Sequence, residues 1–204
     1  MHQNITIPLT ASLKLELDQP SNELLALLQR IQSDVTVQAA KPAPQGNTPP
    51  PHGEYWPGQG GYYICTLPAL LGLPARHLIA GKEQAKATFG SYEEVSDCSS
   101  PIDGPANTKA LLAHGSHPAA QWASAYTADG HQDFHLPAKL DLVMAHICAP
   151  HLFDKKGYYW TSTQNSRYYA FVQGFEYGYS DWSLKGHELR VRAFRRIPLE
   201  LLTA

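Results

Sequence analysis

Several of the features that announce a function are missing or scarce in this chain of 204 residues. Cysteine is scarce: Cys65, Cys98 and Cys148 lie far apart with no CxxC pair. That excludes a zinc knuckle and a dense disulfide framework, and reads as small buried hydrophobes in a reducing compartment. Excess charge is also lacking, with a net charge of -2 and a pI near 6.5. No diffuse basic field is present to neutralise phosphates, so no nucleic-acid partner is expected. No apolar run approaches the length that crosses a bilayer, and the opening MHQNITIPLT has no basic stretch followed by an apolar one. The expectation is a product made in the cytoplasm without a signal peptide and without membrane insertion.

Signatures of chemistry are equally thin. Ten histidines invite a metal reading, and His131 and His135 have i, i+4 spacing, as His146 and His151 nearly do. Zinc binding would need such a pair on one helix with a third ligand, whereas His131 and His135 straddle a glycine turn and an extended Leu-Pro segment. No Gly-x-Ser-x-Gly elbow marks a nucleophile. The chain is therefore expected to hold no metal, no cofactor and no catalytic residues.

What is present divides into a head, a spacer and a body. From Ile5 to Leu17 every odd position is apolar and the even ones are polar or proline, which predicts a strand with one wet face. Ser21 is a candidate N-cap, followed by Leu24, Leu27, Leu28 and Ile31 at helical spacing. A strand and a helix in residues 1–40 cannot bury both apolar faces by themselves, so this segment is expected to make a homo-oligomer. Residues 41–59 are rich in proline and glycine and read as a spacer, either holding the head away or lying on the body as an arm through Tyr55 and Trp56. Residues 60–197 mix short strands and helices. Strands are expected at Gly61–Cys65, His77–Ala80 and throughout the aromatic stretch after Tyr158. Helices are expected at Asn107–Ala113, at Ala119–Tyr126 with Trp122, Ala123 and Tyr126 on one face, and from Ala138 with Leu140, Val143, Met144 and Ile147 as the apolar stripe. The fold class is α+β, helices first and an antiparallel sheet last. Trp160 and Trp122 are the expected large core side chains.

The order of motifs resembles the Lcl C-terminal-like domains. An aromatic opening strand stands at Gly60-Gly61-Tyr62-Tyr63, a strand at Leu78-Ile79-Ala80, and an Asn-Thr helix start at Gly104–Thr108. Then come the helix Ala119–Tyr126 with Gly130, the run Asp133–Asp141 (DFHLPAKLD), YWTST at Tyr159–Thr163 and VRAFR at Val191–Arg195. Phe134-His135 and Leu140 depart from the family pattern, and the first 55 residues have no counterpart in it. The resemblance implies a C-type-lectin-like fold and a setting among phage, prophage or bacterial surface proteins, with the virion or the host cytoplasm as the place of action. Calcium-dependent sugar binding in such folds looks like Glu-Pro-Asn or Gln-Pro-Asp followed by Trp-Asn-Asp, and none of these triplets occurs here. The related formylglycine-generating enzymes use a cysteine pair, and Cys98 and Cys148, the candidates, lack the local pattern.

The informative feature is aromatic density between Tyr168 and Trp182, interleaved with polar residues. Tyr and Trp give large contact area at low entropic cost, so this is the composition of a recognition surface. Within strand 168–175 one face must be core, which points to the loop-proximal Tyr177, Tyr179, Asp181 and Trp182, with Arg167 and Tyr168, as the ligand-binding set. The expected function is non-enzymatic recognition of a protein or glycan. Two rival uses are an intracellular phage product that binds and blocks a host protein, and an enzyme.

Overall fold

A computed structural model describes residues 48–202, all of which belong to one compact unit. The expected strand, helix and oligomer-forming segment of residues 1–40 lie outside the described residues. Seven strands form one mixed sheet: β1 (Tyr55–Trp56), β2 (Gly61–Leu67), β3 (Arg76–Thr88), β4 (Tyr158–Gln164), β5 (Tyr169–Gly174), β6 (Ser180–Leu184) and β7 (Glu188–Pro198). Their order across the sheet is β1-β2-β3-β7-β4-β5-β6. Neighbours run antiparallel except β4 and β7, which meet in parallel at Tyr159 and Arg190. Among the described residues three α-helices complete the α+β architecture: α1 (Gly104–His114), α2 (Pro118–Ala125) and α3 (Lys139–Cys148).

Adjacent residues on a strand point to opposite faces, so the central strands β4 and β7 feed two cores. Trp160 and Ala193 join Leu111, Ala119 and Ala123 of α1 and α2 in one core; Tyr159 and Phe194 join Leu142 and Ala145 of α3 in the other. On β5 the same alternation buries Ala170 and Val172 and leaves Tyr169 and Phe171 partly exposed. The even-numbered face is therefore the core one.

The α3 stripe differs from the expected one. Ala138, Asp141, Leu142, Ala145 and Ala149 are buried, Leu140, Val143 and Met144 are partly buried, and Ile147 is 65% exposed. The helix is turned so that small residues meet the sheet closely and a carboxylate goes inside. Trp122 is also corrected: it is only partly buried at the edge of the first core, while Trp160 is fully buried. Helix α2 ends at Ala125, so Tyr126 leaves it in extended geometry, where its hydroxyl accepts from Lys82 N at 3.0 Å.

Of the two readings of the spacer, residues 48–59 follow the ordered arm through Tyr55 and Trp56. Residues 48–59 belong to the body, because β1 pairs with β2 and Trp56 is fully buried against Tyr63, Ile79 and Ile197. Asp129 holds this arm, accepting from Tyr55 Oη at 3.0 Å, Gly58 N at 2.9 Å and Gly60 N at 3.2 Å. Strand β3 runs well past the expected His77–Ala80. Its polar second half, Gln84–Thr88, is held by continuous pairing to β7 beyond a register shift. Local composition does not favour a strand there, and the ladder overrides it.

Candidate functional site

The β5–β6 hairpin is the last pair of the sheet, and β6 has β5 as its neighbour on one side. Its turn is anchored from beneath. Phe175 is buried and stacks on Phe153 at 4.0 Å, and Gly174 N donates to Tyr179 O at 2.8 Å. Gly178 has φ +78 and lies against the His146 ring of α3, so closely that an added Cβ would stand 2.5 Å from Nε2. A side chain there would meet both backbone strain and a clash. With the turn held down in this way, Tyr177 and Tyr179 project outward, 71% and 65% exposed, their rings 5.9 Å apart. Tyr177 carries a raised pKa, chiefly because its hydroxyl is hydrogen-bonded to Glu176.

Trp182, 55% exposed, sits on β6 directly opposite Phe171, over whose ring Lys139 Nζ lies at 4.2 Å. Asp181 pairs with Val172, a core-facing residue, so it belongs to the other face from Trp182; its Oδ1 accepts from Trp182 N at 2.8 Å. Arg167 and Tyr168 occupy the opposite end of the hairpin. The guanidinium there lies 5.0 Å from the Tyr168 ring, and Tyr168 approaches Tyr92 at 6.1 Å. The six residues singled out from sequence are thus not one constellation. Tyr177 and Tyr179 share the turn, Trp182 stands at the middle of β6, and Arg167 and Tyr168 precede β5, whose length of about 20 Å separates them from the turn.

A second concentration of polar groups, not foreseen from the sequence, lies inside the body. Arg196 Nη2 donates to both Asp141 oxygens at 3.0 and 2.9 Å and to Ile102 O at 2.5 Å, and Arg196 Nη1 reaches Asp103 at 3.4 Å. Asp141 also accepts from Ala138 N at 2.8 Å, closing the start of α3. Burial raises the Asp141 carboxyl above the usual range, opposed by Arg196. Nearby, Asn107 Nδ2 donates to Ser100 O and Ser162 Oγ, and Thr163 Oγ1 donates to Ser100 O while accepting from Lys139 N. The Asn-Thr, LPAKLD and YWTST motifs, with Arg196 just after VRAFR, therefore meet as one structural network. The signal in sequence was an acidic residue inside an apolar helical stripe with an arginine-rich closing strand.

Buried Lys185 makes a similar clamp, donating to Glu93 O at 2.5 Å and Gln164 Oε1 at 2.6 Å. Cys98 is fully buried with its thiol pushed up to about 11 by burial, which is the wrong direction for a nucleophile. His131 Nε2 meets Gly58 O at 2.9 Å at the surface, while His135 is buried, so the two histidines serve different tasks. Among the described residues no group of three or more His, Cys, Asp and Glu side chains could hold a metal ion. No helix of the described residues is long and apolar enough to cross a membrane.

Burial gives this interior a pH signature. The His135 imidazole is pushed down to about 3, by burial first and then by Arg196, and His117 and His77 are lowered by burial. Between that value and the unfolded value of about 6.5 the unfolded chain binds the proton and the folded one does not, so stability falls as pH drops through this window. His135 alone is expected to contribute a slope of up to about 1.4 kcal/mol per pH unit. Urea unfolding between about pH 7 and about pH 5 should show the decline, and His135→Gln should flatten it. An unchanged slope in that variant would remove His135 as its source.

No family model matches the chain, and no curated protein matches it. Among solved structures it is similar to a fimbrial protein from Bacteroides ovatus, with 13% identity and a TM-score of 0.45 over 58% of this chain and 35% of that one. So distant a likeness assigns neither a fold family nor a role.

Proposed function

We propose that the protein is a non-enzymatic recognition module, a phage-encoded C-type-lectin-like domain whose protein or glycan ligand seats on Tyr177, Tyr179 and Trp182. The observation that carries this reading is the exposure of three large aromatics on an anchored turn and its following strand. Rings held rigidly before binding lose little entropy on contact. The sealing of His135, Asp141 and Cys98 inside the body supports binding rather than turnover. Residues 1–40 supply self-association, so that several weak sites act together.

The test is binding of the purified full chain to a glycan array and to host proteins captured from infected-cell lysate. Tyr177→Ala, Tyr179→Ala and Trp182→Ala are each expected to weaken the identified complex by about 10- to 100-fold without lowering thermal stability. Tyr168→Ala should change it by less than about threefold, being at the far end of the hairpin. Equal losses at Arg167 and Tyr168 would move the site to that end. Turnover of a substrate, abolished by changing Cys148 or His135, would overturn the non-enzymatic reading. A chain truncated at Pro44 should bind more weakly and scatter light as a monomer; a monomeric full chain would remove the self-association.

A further inference from the structure

We propose that the cleft between the end of α2 and the irregular middle of β3 binds a methylated ammonium group, of the kind choline carries, through Trp122, Tyr126 and Glu83. The cleft has a volume of about 370 Å³ and is lined by Glu83, Trp122, Ala125, Tyr126 and Thr127. Small molecules are taken up in clefts of about 300–1,000 Å³. Here the lining combines two aromatic rings with a carboxylate. Trp122 and Tyr126 pack on the margin of the first core and stay partly exposed, their ring centroids 6.0 Å apart and their planes inclined by 37°. Glu83 is exposed, and among the described residues it has no ion pair.

The local backbone holds these groups in place. Gly81, Lys82 and Glu83 fall within the register shift of β3 between Ala80 and Gln84, where the Lys82 N–H donates to Tyr126 Oη at 3.0 Å. Gly81 leaves room for the Tyr126 ring, since an added Cβ would stand 2.8 Å from Cε1, and Phe134 meets that ring edge-on at 4.7 Å. Tyr126 is therefore positioned before any ligand arrives, which lowers the entropic cost of binding. Arg192, on β7 opposite Gln84, is committed to Gly81 O at 2.7 Å and to Leu152 O, which leaves the Glu83 charge unneutralised.

This lining selects its ligand by charge and by hydration. Aromatic faces carry negative partial charge and attract cations, and the carboxylate excludes anions. A primary ammonium is compact and strongly hydrated, so two ring faces replace its water poorly. A methylated ammonium spreads its charge over apolar methyl groups, which gain contact with the rings while the charge is balanced by Glu83. The site uses none of the β5–β6 hairpin, so it does not depend on the recognition surface placed there.

The test titrates the full chain with choline, followed by calorimetry and by the indole N–H resonances of nitrogen-labelled protein. Saturable binding with a dissociation constant below about 10 mM is expected, with the Trp122 indole shifting most among the four tryptophans. Ethanolamine, and the neutral isostere of choline with carbon in place of nitrogen, should each bind at least about tenfold more weakly. Trp122→Ala should weaken choline binding by about 30-fold, and Glu83→Gln, an exposed change that preserves the fold, by about fivefold. Retention of the protein on phosphatidylcholine vesicles would show that the group is taken from a lipid headgroup, and choline binding without retention that it comes as a free small molecule. No saturable binding, equal affinity for ethanolamine or the neutral isostere, or unchanged affinity in Glu83→Gln or Trp122→Ala would each overturn the proposal.

Discussion

Asp141→Ala is expected to cost about 3–5 kcal/mol of stability, the range for removing one partner of a buried ion pair. Asp141 is fully buried and accepts from Arg196 Nη2 through both oxygens and from Ala138 N. Without it the Arg196 guanidinium keeps its desolvation but loses its carboxylate, and Arg76, itself 3% exposed, lies close enough to repel it. The start of α3 also loses the acceptor for its first free N–H. Asp141→Asn preserves the shape and one acceptor, and should fall between the wild type and Ala. Urea unfolding of the two variants checks this. A loss under about 1 kcal/mol for Asp141→Ala would mean that solvent reaches Arg196 freely.

Trp160→Ala should cost a similar amount, about 3–5 kcal/mol, through lost transfer energy and an unfilled cavity. Its indole is fully buried at the centre of the core beneath α1 and α2, edge-on to Phe89 at 5.5 Å, and its Nε1 donates to Ala87 O at 3.0 Å. Removal leaves a void and an unpaired carbonyl on β3. Trp122→Ala provides the contrast. That ring is partly buried at the core's margin, so its removal should cost less than about 2 kcal/mol. Thermal or urea unfolding of the two variants separates them, and equal losses would contradict the placement of α2.

Periodicity made the central positions of the helices and strands legible, because an element that buries one face writes its period into the chain. Trp160 in YWTST and the Ala170–Val172 face of β5 are cases where alternation narrowed the core to a choice of two. Which face it was, and how far each element extended, depended on partners distant in sequence. Polar Gln84–Thr88 became strand because β7 was there to pair with it, and the Pro-rich stretch around Trp56 became an ordered arm because Asp129 and β2 received it. The apolar spacing on α3 pointed to Leu140 and Ile147, yet an arginine 55 positions away drew Asp141 inward instead.

The candidate surface shows the same division. Composition singled out the aromatic stretch, and within it Tyr177, Tyr179 and Trp182 are exposed. Composition could not separate Trp182 from Asp181, or Tyr177 from Tyr168, because those distinctions are matters of strand parity and hairpin length rather than residue type. The sequence by itself determined an α+β chain with alternating strands, amphipathic helices and an aromatic-rich stretch, since these rest on local spacing. Only the tertiary structure decided the meeting of Asp141 with Arg196 and of the arm with β2. Each of these joins residues far apart along the chain whose burial is favourable only once both partners are in place.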